Sequence, residues 1–269
     1  MKLSHIISSC KYKRLIGTAD RDVKAISIDS RTIENNMIFV AIRGVEFDGH
    51  DFIEKAIEKG ATVIVADSLS KIEEGITYLE VENTSIALGH LASAFFNHPS
   101  TNIEVVGVTG TNGKTTIATQ LYHLFTNMGF KVGLLSTIEN RIGTTIIPTK
   151  HTTPDAITIQ SLLHKMVEEG CSYCFMEVSS HSVIQNRIEG VEFTGTIFTN
   201  LTHDHLDYHS SFAEYRDVKK YFFDKISSSA FALSNLDDTN GQYMLQNTKS
   251  RKKYYSLKKV TDYKGLIVE

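Results

Sequence analysis

The sequence of 269 residues is poor in cysteine, in proline and in long hydrophobic runs. Three cysteines are too few for a small secreted scaffold held together by disulfides. Three prolines beside 17 glycines, with 41% hydrophobic and 22% charged residues, exclude a collagen-like or disordered chain. No run approaches the roughly 18 apolar residues of a membrane span, and the first residues lack a signal peptide's apolar core. We therefore expect a soluble, cytoplasmic protein without a membrane partner.

Basic charge is not in excess either, because 28 Lys and Arg face 31 Asp and Glu, a formal net charge of -3. Proteins that bind a polyphosphate backbone do so chiefly through clustered Lys and Arg side chains. We therefore expect no nucleic-acid partner. The length predicts about two domains, since a domain usually has about 100–200 residues.

Two of the cysteines, Cys171 and Cys174, have the spacing of a CxxC redox or zinc motif. The second of them leads directly into FMEV, a strand-like stretch, and residues three apart on a strand point to opposite faces. We interpret all three cysteines as buried, inert thiols, which is typical of a reducing compartment.

Hydrophobic periodicity predicts strands alternating with helices along the whole chain, the pattern of an α/β fold with mostly parallel sheets. The polar segment HPSTN contains a proline that disfavours helix at the preceding residue, so we place a domain boundary there. The predicted domains are residues 1–98 and 99–269. The predicted strands are Ala25–Ile28, Met37–Ile42, Thr62–Ala66, Ile103–Val108, Lys131–Ser136, Tyr173–Val178, Gly195–Thr199 and Phe231–Ser234, with a hairpin around Ile138–Ile147 and one or two edge strands at the lysine-rich end. The predicted helices are Phe52–Lys59, Ser85–Asn97, Thr115–Met128, Asp155–Glu169 and Phe212–Ile226.

The strongest functional signal is GVTGTNGKTT, from Gly107 to Thr116. It lies between an apolar strand and a predicted helix, as in a nucleotide phosphate loop. Backbone N–H groups and the helix start attract phosphate, Lys114 reaches the β- and γ-phosphates, and Thr115 can ligate Mg²⁺. The first glycine of the usual GxxxxGK[ST] spacing falls on Val108, so the alternative is a chance glycine-rich turn. The predicted nucleotide-binding residues are Gly110, Thr111, Asn112, Gly113, Lys114, Thr115 and Thr116.

Two later strands end in residues that suit a metal ion. Glu177 lies where a phosphate-loop enzyme usually carries a carboxylate for its metal, and the alternative is a solvent-facing carboxylate. The next strand runs into LTHDHLDYH, with three histidines and two aspartates at 203–209. A dinuclear metallohydrolase is the alternative of a different class. Its HxHxDH motif differs, because Tyr208 separates Asp207 from His209. The remaining alternative is a protein that binds nucleotide without chemistry.

Taken together, the motifs resemble the Mur ligases, ATP-dependent amide-forming enzymes of peptidoglycan synthesis. The matching segments are the phosphate loop, HTTPDA at His151–Ala156, MEVSSHSVIQNR at Met176–Arg187 and FTNLTHDHLDYHSSFAEYRDVKKYFF at Phe198–Phe223. In the first domain, SIDSRTIENNMIFVAIRG and FDGHDFIEKAIEKGA resemble the uridine-binding domain of the family. The SSH after Glu177 and the TTP segment favour the UDP-N-acetylmuramoyl-tripeptide synthetase branch.

The resemblance implies that ATP phosphorylates the free side-chain carboxylate of D-glutamate in UDP-N-acetylmuramoyl-L-alanyl-D-glutamate. An amino-acid amine then attacks the acyl phosphate. The resemblance implies that Lys114, Thr115 and Glu177 bind the triphosphate and Mg²⁺ and that His205 is a second metal ligand. Lys219, 14 residues after His205, matches the family's carbamylated lysine, which would ligate a second Mg²⁺. An ordinary surface lysine is the alternative.

The resemblance also implies the substrate-binding residues. Arg187 has an evident task, since a guanidinium fork suits a carboxylate. At Asp29–Arg31 an ordinary turn is the alternative to a UDP contact. The residues implied for the UDP end are Ile28, Ser30, Val45, Glu46 and Phe47. Those implied for the muramoyl-dipeptide are Thr152, Thr153, Ser179, Gln185 and Arg187.

Ligases of this kind carry a third, C-terminal domain that contributes the amino-acid site and part of the ATP site. We expect this domain to be absent from residues 1–269, which alone would then bind nucleotide without ligating at a useful rate. A separate partner chain is an alternative source of the domain. The added amino acid is left open between diaminopimelate, lysine and another amine.

Overall fold

The computed structural model describes residues 1–44, 47–149, 152–202 and 211–266, and it divides into two compact units. The first unit comprises Met1–His98, Ala156–Gln160 and Asn186–Gly190. The second comprises Pro99–Asp155, Ser161–Gln185 and Val191–Glu269. The assignment of one predicted domain to the UDP substrate and the other to ATP stays a prediction.

The first unit contains a sheet in the order β1-β5-β4-β3-β2, in which β1 is antiparallel to β5 and the other pairs are parallel. Short 3₁₀ turns lie at Ser30–Thr32 and Gly49–Phe52. The elements are α1 (Leu3–Ile7), β1 (Arg14–Ile16), β2 (Ala25–Ser27), β3 (Met37–Val40), α2 (Ile53–Glu58), β4 (Ala61–Ala66), β5 (Thr77–Glu80) and α3 (Thr84–Phe95).

Successive side chains of the central strands point to opposite faces of this sheet. Both faces are buried, because each packs in an apolar cluster of its own. Ile38 and Val63 pack in one apolar cluster, whereas Phe39 and Ile64 pack in another. A parallel sheet covered on both faces explains why its strands are nearly continuous apolar runs.

The second unit contains the longer sheet, with nine strands among the described residues in the order β14-β13-β12-β11-β6-β10-β7-β8-β9. The strands from β14 to β7 are parallel, and β7, β8 and β9 form an antiparallel meander. In chain order, the elements from residue 99 onward are β6 (Glu104–Thr109), α4 (Lys114–Asn127), β7 (Val132–Leu135), β8 (Asn140–Ile142), β9 (Thr145–Ile147), α5 (Ala156–Glu168), β10 (Tyr173–Glu177), α6 (Ser180–Ile184), β11 (Gly195–Phe198), α7 (Phe212–Lys225), β12 (Phe231–Asn235), α8 (Gly241–Met244), β13 (Arg251–Ser256) and β14 (Tyr263–Lys264).

The central strand of this sheet is β6, with β10 on one side and β11 on the other. The chain therefore builds the sheet outward from β6 in both directions. In open α/β sheets, ligands bind beyond the carboxyl ends of the strands at such a switch point. The carboxyl end of β6 is the start of the predicted phosphate loop.

The predicted α/β fold class is confirmed, and the predicted strands and helices occur with ends shifted by a few residues. The sequence analysis missed α1, β1, β5, α6 and α8, which are too short for periodicity to develop. The three cysteines are buried and unbridged, but Cys171 precedes β10, so the argument that both thiols lie on that strand is wrong. At the lysine-rich end, β13 is covered by β14, which is an edge strand among the described residues.

Among the described residues, no helix is both long and apolar enough to cross a membrane.

Candidate functional site

The phosphate loop follows β6 and turns through two glycines with positive φ. Gly110 has φ +152° and Gly113 has φ +83°, values that L side chains rarely adopt. Gly113 is the N-cap of α4, and its N-cap position makes no side-chain hydrogen bond to the helix start. The start of a long helix, uncapped by a side chain, suits a bound phosphate because its N–H groups and dipole favour an anion.

The loop is held by the segment that follows β11. Asn200 accepts from the N–H of Thr111 through its carbonyl oxygen (2.8 Å) and from the N–H of Asn112 through Oδ1 (3.0 Å). The Thr199 hydroxyl donates to the Asn112 carbonyl at 2.6 Å, and the Thr202 N–H donates to Thr111 Oγ1 at 3.0 Å. The N–H groups of Thr111 and Asn112 thus fix the shape of the loop in this conformation and do not face its interior.

Two residues at or just after the end of β12 also form hydrogen bonds to this segment. The Asn235 side-chain amide donates to the carbonyl of Thr199 at 2.9 Å. Asp238 Oδ2 accepts from the N–H of Leu201 at 2.8 Å. Neither residue was among the predicted site residues. Both follow a predicted strand, and ligands bind at the carboxyl ends of the strands in such a sheet.

Glu177 lies at the end of β10 and is fully buried, with 0% of its surface exposed. Its Oε2 accepts from the hydroxyls of Thr115 (3.0 Å) and Thr137 (3.2 Å), and its Oε1 accepts from the N–H of Thr137 (2.7 Å). The alternative of a solvent-facing carboxylate is therefore wrong. Thr115 and Glu177 meet because β6 pairs with β10, with Val108 opposite Glu177. A hydroxyl beside a carboxylate is the kind of oxygen donor set that Mg²⁺ prefers.

Two lysine side chains reach the same carbonyl oxygen of the loop. Lys114 Nζ donates to the carbonyls of Gly110 (3.0 Å) and Thr111 (2.8 Å), and Lys219 Nζ donates to that of Gly110 at 3.0 Å. Lys219, on α7, is 1% exposed, and its Nζ lies 4.6 Å from the centroid of the Tyr215 ring. The alternative of an ordinary surface lysine is therefore wrong. The ammonium group of Lys114 beside the loop favours a ligand with several negative charges.

Two of the residues expected to bind the muramoyl-dipeptide lie beside Glu177. The hydroxyl of Thr153 donates to the Glu177 carbonyl at 2.9 Å and accepts from the Ser179 N–H at 3.2 Å. Ser179 also caps α6, because its Oγ accepts from the Ser182 N–H at 3.1 Å. These bonds hold both hydroxyls against the backbone at the carboxyl end of β10.

The other residues of that group are Thr152, Gln185 and Arg187. Thr152 precedes Thr153 and is partly buried, and Gln185 is the C-cap of α6. Arg187 lies in the segment Asn186–Gly190, which belongs to the first unit. The geometry of the second unit therefore does not include Arg187.

In the first unit, the residues expected at the UDP end differ in exposure. Ile28 is 41% and Phe47 69% exposed, whereas Ser30 is 5% exposed. Ser30 begins a turn in which Asp29 accepts from the N–H of Arg31 at 2.9 Å. Hydrogen bonds from the Arg31 side chain and N–H lower the pKa of Asp29 to about 2. The segment Asp29–Arg31 thus forms a capped turn.

Several predicted site residues fall outside the described part of the chain. They are Val45 and Glu46 in the first domain and His205 in the second, together with the flanking histidines His203 and His209. Among the residues that the structure does describe, no group of three His, Cys, Asp or Glu side chains is arranged to hold a metal ion. Thr115 and Glu177 are the predicted metal ligands that the described geometry brings into contact.

A central parallel strand, a glycine-rich loop, a helix start and a buried carboxylate on the adjacent strand define an α/β protein with a phosphate loop for a nucleotide. Comparison with protein families gives the particular group. The Mur ligase middle domain matches residues 108–268, and the catalytic domain of the Mur ligase family matches residues 22–113. The chain belongs to the Mur ligase family.

Among characterised proteins, the chain is similar to UDP-N-acetylmuramoyl-L-alanyl-D-glutamate--2,6-diaminopimelate ligases. It is 52% identical to the one from Phocaeicola vulgatus, over 100% of this chain and 56% of that protein. It is 43% identical to the one from Clostridium tetani, over 98% of this chain and 55% of that protein. The chain thus spans about half the length of the relatives it matches.

Solved structures show the same relationship. One of a UDP-N-acetylmuramoyl-L-alanyl-D-glutamate--2,6-diaminopimelate ligase superposes with a TM-score of 0.75 at 25% identity, over 89% of this chain and 50% of that one. A MurF structure from Acinetobacter baumannii gives a TM-score of 0.64 at 18% identity, over 94% of this chain and 52% of that one. The second likeness shows a shared fold.

Gly110 in the loop and Gly129 after α4 both have positive φ but different surroundings, and they allow a matched test of the loop. A Cβ at Gly110 would lie 1.9 Å from Thr199 Oγ1, whereas one at Gly129 would meet nothing within 4 Å. We expect Gly129→Ala to cost about 1 kcal/mol of unfolding free energy from backbone strain alone. Gly110→Ala should cost about 1–3 kcal/mol more through overpacking. Denaturant unfolding measures both, and equal losses would contradict the packing of the loop against Thr199.

Proposed function

We propose that this chain forms the nucleotide-binding and UDP-substrate-binding part of a ligase that uses ATP to add an amino acid to UDP-N-acetylmuramoyl-L-alanyl-D-glutamate. The observation that carries the proposal is the contact of Thr115 with buried Glu177 under a phosphate loop that two lysines approach. The names of the relatives supply the substrate.

The proposed nucleotide is ATP with Mg²⁺. The helix start at Gly113 and the ammonium group of Lys114 would bind the β- and γ-phosphates. Thr115 and Glu177 would hold Mg²⁺ through oxygen atoms, with His205 as a further ligand. Bound Mg²⁺ supplies charge neutralisation for the transferring phosphoryl group. The family assignment favours this role for the histidines at 203–209 over the metallohydrolase alternative.

The proposed reaction has two steps. First, an oxygen of the D-glutamate side-chain carboxylate attacks the γ-phosphorus, the bond to the β-phosphate oxygen breaks, and ADP leaves. Second, the amine nitrogen attacks the carbonyl carbon of the acyl phosphate, inorganic phosphate leaves, and the nitrogen loses a proton. Neither step needs a nucleophilic side chain, so the contribution of the protein is electrostatic and positional.

For the substrate, we propose two sets of contacts, one to the UDP end and one to the dipeptide. Arg187 would bind a carboxylate of the dipeptide. The proposed UDP contacts are Ile28, Ser30, Val45, Glu46 and Phe47. The proposed dipeptide contacts are Thr152, Thr153, Ser179, Gln185 and Arg187.

We also propose that Lys219 is carbamylated when Mg²⁺ and nucleotide are bound. Its uncharged amine would form a bond to the carbon of carbon dioxide and lose a proton to water. The carbamate would then carry anionic oxygens toward a second Mg²⁺, which removes the repulsion between an ammonium and the metal. Its remaining N–H could keep the hydrogen bond to the Gly110 carbonyl, which is 3.0 Å away in this structure.

The incoming amino acid is proposed to be 2,6-diaminopimelate, since the names of the relatives specify it. Its binding site is proposed to lie outside residues 1–269, in a C-terminal domain of the kind that such ligases carry. Cytoplasmic location is proposed on the same basis, because UDP-linked substrates and ATP are made there.

Loss of the loop lysine tests nucleotide binding. We expect Lys114→Ala to weaken binding of a non-hydrolysable Mg-ATP analogue at least tenfold, on the order of 1.4 kcal/mol or more, because the β- and γ-phosphates lose their cation. Isothermal titration calorimetry measures the affinity. Lys131→Ala is the control, since Lys131 lies away from the loop and pairs with Glu169. Equal affinities for all three proteins would contradict the assignment.

Arginine removal tests dipeptide recognition. We expect Arg187→Ala to weaken binding of UDP-N-acetylmuramoyl-L-alanyl-D-glutamate about tenfold or more, because a carboxylate loses its partner. Binding of UDP-N-acetylmuramoyl-L-alanine, which lacks the D-glutamate, should stay unchanged. Arg141→Ala is the control, since Arg141 pairs with Glu139 at 2.5 Å. A parallel loss for both ligands would argue against the role.

Neighbouring lysines on α7 test the carbamate. With isotope-labelled bicarbonate, Mg²⁺ and nucleotide, we expect a carbamate signal in the NMR spectrum that Lys219→Arg abolishes and Lys220→Arg retains. Lys220 is the matched control because it is also buried, at 6% exposed, but pairs with Asp224 at 2.6 Å. A signal that survives Lys219→Arg, or no signal in the unaltered protein, would refute the carbamate.

A further inference from the structure

Two stretches of backbone in the first unit approach each other where the turn 186–190 lies against α3. A Cβ built on Gly89, in the middle of α3, would lie 2.4 Å from the carbonyl oxygen of Glu189 and 2.6 Å from its Cβ. A Cβ built on Gly190 would lie 2.3 Å from the carbonyl oxygen of Gly89. Neither glycine therefore has room for a side chain.

The contact with the turn explains why a glycine stands at position 89. Glycine inside a helix is less favourable than alanine, because it loses more conformational freedom on folding. Gly89 is buried within α3 and does not have the positive φ that would itself call for glycine. Its missing side chain thus serves the close approach of Glu189 and not the helix.

The turn that approaches Gly89 carries Arg187. The N–H of Glu189 donates to the carbonyl of Asn186 at 3.2 Å, the bond that closes a four-residue turn. Asn186 and Gly190 both have left-handed φ, +55° and +77°, so the chain bends sharply at each end. Arg187 is the second residue of this turn, and a shift of Glu189 therefore changes the position of Arg187.

A side-chain contact joins the same two stretches but is weak. His90 follows Gly89 on α3, and its Nε2 lies 4.0 Å from Oε2 of Glu189, with 41% of the histidine side chain exposed. Exposed pairs of this kind contribute little. The contact between the two backbones is different, because no change of rotamer can relieve it.

We infer that Gly89 is a positioning residue for the dipeptide end of the substrate, because its bare backbone sets the place of the turn that carries Arg187. The inference rests on the proposed function, in which Arg187 binds a carboxylate of the dipeptide. A guanidinium fork needs both distance and direction to form two parallel hydrogen bonds to a carboxylate. A methyl group added at Gly89 would displace the turn, since a close-packed interior has no space to accept it.

Isothermal titration calorimetry with two ligands tests the inference. We expect Gly89→Ala to weaken binding of UDP-N-acetylmuramoyl-L-alanyl-D-glutamate about tenfold, as Arg187→Ala does, and to leave binding of UDP-N-acetylmuramoyl-L-alanine unchanged. The double variant should lose no more than Arg187→Ala alone, because Gly89 acts through Arg187. Gly190→Ala enters the same contact from the turn and should give the same pattern. Binding of the Mg-ATP analogue should stay unchanged.

Two control variants separate positioning from a general loss of stability. Gly17→Ala strains the same unit elsewhere, because Gly17 has φ +95° and its Cβ would lie 3.0 Å from the carbonyl oxygen of Ile76. This variant should lower the melting temperature without changing either affinity. His90→Ala removes the side-chain contact with Glu189 but keeps the backbone approach, and it should bind both ligands as the unaltered chain does.

The outcomes distinguish the inference from the function on which it rests. No binding of the dipeptide ligand by the unaltered chain, or full binding by Arg187→Ala, would overturn the proposed role of Arg187 and the inference with it. A loss in Arg187→Ala that Gly89→Ala does not share would overturn the inference alone. So would an equal loss for both ligands, or an equal loss in Gly17→Ala or His90→Ala. Failure of both Gly89→Ala and Gly190→Ala to fold would also overturn it, because the contact would then serve the whole unit.

Discussion

The hydrogen bonds between the phosphate loop and the segment after β11 are the constraint on which the rest of the site depends. Gly110 passes so close to Thr199 that no side chain fits between them. Asn200 then takes the N–H groups of the next two loop residues. These contacts exist because β11 pairs with β6, with Phe198 opposite Thr109. The sheet therefore holds the loop in this shape through the residues that follow β11.

The opposite neighbour of β6 supplies the complementary charge. Because β10 pairs with β6 in register, Glu177 comes to lie under Thr115, and β7 brings Thr137 to the same carboxylate. Positive groups at the loop and a negative group below it match the two parts of a nucleotide bound with a cation. The proposed chemistry thus follows from three parallel strands that end at one edge.

The first unit uses the same principle on a smaller sheet. Its carboxyl edge carries Ser30 after β2, Arg43 after β3 and Asp67 after β4. The ends of parallel strands lie side by side, so residues far apart in the chain meet there. Polar side chains at this edge hold one another, as in the ion pair of Arg43 with Asp67 at 2.9 Å.

The sequence alone determined the longer helices, most of the strands and the phosphate loop. Hydrophobic period, glycine placement and the Gly-Lys-Thr at a helix start are local properties, and they sufficed for the α/β class, the phosphate loop and Glu177 as a candidate. They could not show that Glu177 is fully buried or that Thr137 donates hydrogen bonds to it. Nor could they show that Asn235 and Asp238 hydrogen-bond to the segment that holds the loop. Those contacts depend on the order in which strands pair. Strand order is settled by packing over the whole sheet, which no local stretch of sequence encodes.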